Sequence, residues 1–130
     1  MKFHRFVFLL MTAAAIEAAD QPVPPQQNIA VPFRLFNTSN VYTVVKLDTR
    51  DGRVWQVQWN FETKLRWEAP INSQPLTNSP EVGRFTLYQT PNIHTFILVD
   101  QQSGRLWQVN WAGGDDGARG FFAIPDASAD

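Results

Sequence analysis

The chain contains no cysteine. That excludes disulfide cross-links, a lipid-bearing cysteine of the bacterial lipoprotein type, and every zinc site that relies on thiolates. Histidine is almost as scarce: past the first few residues only His94 occurs, too little for the usual zinc ligand sets. No glycine-rich phosphate loop is present. Charge is balanced, with a formal net of -1 and no basic block. A nucleic-acid partner is therefore not expected, nor an electrostatic membrane surface. After the N-terminal run, no apolar stretch approaches the roughly 20 residues of a membrane-spanning helix.

The N-terminus reads as a targeting segment. "MKFHR" is basic, "FVFLLMTAAAI" is apolar and "EAAD" is small, the three-part pattern of a secretory signal peptide. We assign residues 1–19 to it and expect a secreted or periplasmic protein with no stable membrane insertion once the signal is cleaved. Residues 20–32, rich in Pro and Gln, read as an extended leader. What remains, residues 33–130, suits one domain of roughly a hundred residues. Without disulfides it must be held by packing, and its tryptophans and phenylalanines supply burial of about 1.5–3 kcal/mol for each large side chain.

One phrase is written twice. "DGRVWQVQW" at 51–59 returns as "SGRLWQVNW" at 103–111. Shifting the sequence by 52 lays residues 32–60 over 84–112 without a gap, with 12 of 29 columns identical. The runs are rich in Val, Ile, Thr and aromatics and are punctuated by Gly, Asn and Pro, which predicts strands at 33–37, 41–48, 53–60 and 65–69. Their counterparts fall at 85–89, 93–100, 105–111 and 120–124. No convincing helix follows the signal. The expected fold is all-β: two antiparallel repeats (33–76 and 85–128) of about four strands with pseudo-two-fold symmetry, forming a small sandwich or barrel.

The central hairpin of each repeat turns on a glycine. A four-residue loop with Gly52 or Gly104 in the left-handed region sets Asp48 opposite Arg53 and Asp100 opposite Arg105, two cross-strand ion pairs. Strand alternation then puts Tyr42, Val44 and Lys46 on one face with Trp55, Val57 and Trp59. In the second repeat His94, Phe96 and Leu98 share a face with Trp107, Val109 and Trp111. We expect these two Trp-bearing faces to pack into a common core. The opposite faces carry recurring amides and hydroxyls. Thr43, Gln56, Gln58, Thr95, Gln108 and Asn110, together with Trp67, form the expected ligand or partner surface.

Constellations for catalysis are nearly absent, and we expect no enzyme, no catalytic residue, no cofactor and no metal site. His94 stands where the first repeat has Tyr42, an amphipathic aromatic position that favours a packed residue. Asp115 and Asp116 fall far short of the six to eight oxygens calcium takes, so their loop reads as solvated. Glu62, Glu68, Asp48 and Asp100 are the carboxylates available to a small hydrolase, and nothing singles out two of them.

The region 33–125, carried by "LDTRDGRVWQVQW" and "QQSGRLWQVNW", resembles a group of small exported two-repeat proteins common in Bacteroidota. That resemblance implies kinship and export and carries no activity. "LDTRDGR" is also similar to the hairpin of quinoprotein-type propeller blades, with its following Trp one residue earlier than in the blades, which implies a blade-sized unit. Two blades cannot close a propeller unless subunits assemble, as in some two-repeat Trp-rich lectins. The leading expectation is an exported, non-enzymatic binding or accessory module for a protein or cell-envelope partner. A carbohydrate-binding module or oligomeric Trp-rich lectin is the alternative, and homo-oligomerisation stays open.

Overall fold

Each long hairpin is closed by four residues. The Asp48 N–H donates to the Arg53 carbonyl at 2.9 Å and the Gly52 N–H to the Asp48 carbonyl at 3.0 Å; Asp100, Arg105 and Gly104 repeat the pattern at 2.9 and 2.8 Å. Gly52 and Gly104 take φ of 81° and 77°, a region where a Cβ crowds the following carbonyl at a cost of about 1–2 kcal/mol.

The computed structural model describes residues 31–112 and 118–127. The expected signal peptide, all but the last two residues of the leader, and Asp115 and Asp116 lie outside the described residues. Eight strands follow in order: β1 (Phe33–Asn37), β2 (Thr43–Asp48), β3 (Val54–Gln58), β4 (Trp67–Asn72), β5 (Phe85–Gln89), β6 (Thr95–Asp100), β7 (Leu106–Asn110) and β8 (Gly120–Ile124). A 3₁₀ turn, Thr63–Leu65, precedes β4. The fold is all-β, with strands β1-β2-β3-β4 in one antiparallel sheet and β5-β6-β7-β8 in another. The two sheets form a sandwich, and among the described residues no closed barrel. Register follows the alternation: Val44 faces Val57 and Lys46 faces Trp55, while Phe96 faces Val109 and Leu98 faces Trp107. Pro70, which has no N–H to give, sits in an edge strand.

The two Trp-bearing faces do not meet, contrary to the expectation from alternation. The first sheet buries its other face, with Thr43, Val45, Leu47, Val54 and Gln56 almost inaccessible. These pack on the Trp-bearing face of the second sheet, where Phe85, Phe96, Leu98, Trp107, Val109 and Trp111 are buried. Like faces therefore point the same way, amide face against aromatic face. The reason lies in two positions. Lys46 and Glu68 form an ion pair on the aromatic face of the first sheet, where the second carries Leu98 and Phe121, paired with Trp107 and Val109. Enclosing the ions in a dry core would cost several kcal/mol per charge; the second sheet has no such obstacle.

The turns also differ. Asp48 meets Arg53 at 3.0 Å as expected, and the Arg50 guanidinium joins it with bonds of 3.0 and 2.9 Å. Asp100 is instead held by Arg84, at 3.0 and 2.9 Å, and Arg105 lies over the Trp107 ring at 4.9 Å. This corrects the second predicted ion pair. Arg84 immediately precedes β5, whose Phe85 pairs with Asp100, whereas β1 is preceded by Pro32, which offers no cation. The connection from β4 to β5 also wraps the first turn. Leu76 donates its N–H to the Asp51 carbonyl at 2.8 Å, and Phe85 donates to Thr49 at 2.9 Å. The second turn stays exposed.

Burial raises the affinity of Asp100 for its proton, but bonds from Arg84, Ser103 and the Gln102 and Ser103 N–H groups outweigh it and hold the carboxyl well below the usual range. A group whose folded pKa is depressed stabilises above its unfolded pKa, and that stability is lost as pH falls through the folded value. Denaturant midpoints should thus hold down to about pH 4 and fall below it. Asp100→Asn should cost on the order of 2 kcal/mol at pH 7 and flatten that acid limb. The glycines separate differently. A Cβ on Gly52 would lie 2.7 Å from Leu76 and 3.1 Å from Phe85, while one on Gly104 meets no described residue within 4 Å. Urea unfolding should show Gly104→Ala losing about 1 kcal/mol from backbone strain alone, and Gly52→Ala about 1 kcal/mol more.

Candidate functional site

The amides chosen from sequence divide between two places. Gln56 on β3 points between the sheets and uses both ends of its side chain. Its Nε2 donates to the Ala112 carbonyl and its Oε1 accepts from the Ala112 N–H, each at 2.8 Å. At 1% exposure it is a stitch across the sandwich, not a free ligand contact. Beside it the Thr43 hydroxyl donates to Gln58 Oε1 at 2.7 Å. These residues form one wall of a cleft of about 230 Å³, completed by Asn40, Asn60, Leu65 and Trp67. Trp67 opens β4 half-exposed, with the Arg119 guanidinium 5.6 Å above its ring.

Thr95, Gln108 and Asn110 lie elsewhere, on the outer face of the second sheet. There the Thr95 hydroxyl and Gln108 Nε2 both donate to Asn110 Oδ1, at 3.1 Å each. The cleft thus gathers Thr43, Gln56, Gln58 and Trp67, and the other three predicted site residues belong to a separate surface.

The described lining of the cleft offers amides, a hydroxyl and one aromatic ring, with no titratable group. The four candidate carboxylates each keep a cation of their own. Asp48 has Arg50 and Arg53, Asp100 has Arg84, Glu68 has Lys46, and Glu62 has Lys64 at 3.6 Å. Among the described residues no group of three His, Asp or Glu side chains could hold a metal ion. Likewise, no helix among them is long and apolar enough to cross a membrane. His94 packs on Trp111 with ring centroids 4.7 Å apart, and its Nδ1 is buried without a hydrogen-bond partner among the described residues.

A second candidate surface escaped the reading from sequence, which placed it in the core. On the aromatic face of the first sheet Phe33, Leu35 and Trp59 are 48%, 49% and 40% exposed; the residues 52 positions later, Phe85, Leu87 and Trp111, are 0%, 6% and 2% exposed. Tyr42 packs edge-on to Trp59 at 5.1 Å. Cations lie on the same face: Lys46 Nζ is 4.6 Å above the Trp55 ring, Arg53 is 5.5 Å above it, and Arg50 lies 5.3 Å above Phe33. Such contacts contribute about 0.5–1 kcal/mol each when exposed. The signal for this surface was Lys46, a charge on a face whose counterpart position holds Leu98.

No protein-family model, no curated protein and no solved structure matches the chain.

The tryptophans should divide in solution. Iodide should quench the fluorescence of Trp59 and Trp67, and Trp59→Phe with Trp67→Phe should remove most of the quenchable component. The emission of buried Trp107 and Trp111 should persist, blue-shifted and unquenched.

Proposed function

We propose that this chain is an exported, non-enzymatic binding module that engages a protein partner through the aromatic face of its first sheet. One observation carries the reading: side chains buried in the second sheet have first-sheet counterparts left in water. A contiguous apolar face rimmed by polar groups marks an interaction surface, and Trp, Tyr and Arg supply much of the binding energy at such surfaces. Phe33 and Leu35 on the edge strand and Tyr42 and Trp59 at the far end provide the exposed apolar groups; Lys46 stands between them, flanked by Leu35 and Trp55, and Arg50 and Arg53 add cations at the turn, charges that orient an approaching partner. Export rests on the N-terminal pattern and places the partner in the cell envelope or outside the cell.

A glycan-binding reading has its own observation, the half-exposed Trp67 beside Gln58 and Asn60 in the cleft. An aromatic ring flanked by amides suits a sugar, whose apolar face stacks and whose hydroxyls bond.

Capture from envelope extracts separates the two. Leu35→Asp should remove the captured protein partner while leaving the melting temperature within a few degrees, because Leu35 is already half-exposed. If capture survives Leu35→Asp, and glycan-array binding is lost only with Trp67→Ala, the cleft is the functional site and the aromatic face is not.

A further inference from the structure

We infer that the aromatic face of the first sheet is the docking site for a second copy of this chain, which seats on it the outer face of its own second sheet. This rests on reading that face as a protein-binding surface and names its occupant. Within one molecule the first sheet presents its amide face and the second its aromatic face. A contact between unlike faces leaves one of each kind unpartnered at the two ends. The molecule therefore carries, on opposite sides, counterparts of the two surfaces that already fit together inside it.

The match runs along the two central strands, and departs at β8, where the exposed Phe122 stands beside Gln108 as Ala69 stands beside Gln56. Val45, Leu47, Val54 and Gln56 are buried against the second sheet. Their counterparts Ile97, Val99, Leu106 and Gln108 lie on the outer face of that sheet, half-buried or exposed. None of these four carries a charge, so no ion has to be desolvated there. Inside the chain Gln56 clamps the backbone of Ala112. The corresponding clamp between copies runs from Gln108 to the backbone of Asn60. The Asn60 carbonyl now accepts from Arg66 Nε at 2.7 Å, and its second lone pair remains.

A cavity supports the same docking. At the first turn, Leu76 and Phe85 pack against Gly52. At the second turn no described residue lies within 4 Å of the Cβ position of Gly104. A hollow of about 430 Å³ opens there beside Arg105, Leu106 and Ile124. Phe33 is the counterpart of Phe85 and is 48% exposed; in a neighbouring copy it is the ring placed to fill this hollow. The Lys46–Glu68 pair stands where the internal contact has Leu98 and Phe121. It makes the contact between copies wetter than the one within the chain, and hence reversible. A head-to-tail contact of this kind closes into a ring when its rotation divides the circle and otherwise grows as a filament.

Sedimentation velocity on the purified exported chain, freed of its signal peptide and run across a concentration series, tests the inference with two variants. Leu35→Asp spoils the aromatic face, and Leu106→Asp spoils the outer face of the second sheet. Both positions are exposed in the isolated molecule, and circular dichroism checks that both variants fold. The wild type should form species larger than a monomer as concentration rises. Each variant alone should associate at least tenfold more weakly. An equimolar mixture should recover a dimer and stop there, because Leu106→Asp keeps the aromatic face that the intact outer face of Leu35→Asp requires. A wild type that stays monomeric overturns the inference, and so does Leu106→Asp associating like the wild type, which would mean that like faces pair. If the wild type is monomeric and Leu35→Asp still abolishes capture of a different protein, self-docking fails and the binding face stands. If Leu35→Asp changes neither association nor capture, both readings fall.

Discussion

The clamp of Gln56 on Ala112 is the contact on which the arrangement of the two sheets depends. It buries a primary amide, its carbonyl and one N–H both bonded, between the sheets beside Thr43 and Gln58. A buried amide left without partners costs about 1–3 kcal/mol. The first sheet can therefore bury this face only where a backbone N–H and C=O are offered at the right spacing, and the segment following β7 offers them. Pairing is thereby fixed between one face of the first sheet and the opposite kind of face on the second.

What lies on the outside follows from that choice. Strand side chains alternate with period two, so burying Val45, Leu47 and Gln56 turns Val44, Lys46, Trp55 and Val57 outward as a set. In the second sheet the choice is reversed, and Phe96, Leu98, Trp107 and Val109 go inward. One family of side chains serves as core in one half and as surface in the other. The charges agree with this division. Lys46 and Glu68 neutralise each other beside Trp55, and Arg50 and Arg53 lie over aromatic rings while holding Asp48. The face is wet enough at the Lys46–Glu68 pair to remain in water and apolar enough around Phe33, Leu35, Tyr42 and Trp59 to gain from being covered.

The two turns carry the same asymmetry. The first is roofed by the β4–β5 connection, with Asn72 donating to the Gly52 carbonyl at 3.2 Å and Thr49 accepting from the Gly83 N–H at 3.1 Å. Its loop residues are buried accordingly. The second, with near-identical backbone geometry, has no such roof among the described residues and borders an open hollow. A shared local sequence gives a shared hairpin; the neighbour that covers it is a separate matter.

Much of the local structure was legible in the residues. Strand positions, the four-residue turns, the left-handed glycines and the cross-strand partners all follow from alternation and turn chemistry, which act over a few residues. The cleft was half legible: Thr43, Gln56, Gln58 and Trp67 do converge, but Thr95, Gln108 and Asn110 do not join them. The partner of Asp100 was not legible from the hairpin, because Arg84 reaches it from a neighbouring strand. Nor was the buried face of the first sheet. Periodicity sorts side chains into two faces and cannot rank two faces that are both largely apolar. That ranking came from contacts between strands: the Gln56 clamp on Ala112, 56 residues on in the chain, and the ion pair of Lys46 with Glu68, 22 residues on. The sequence by itself determined which residues share a face, and the tertiary structure alone decided which face meets water, because only packing between sheets shows where an amide finds its backbone partners and where a charge escapes burial.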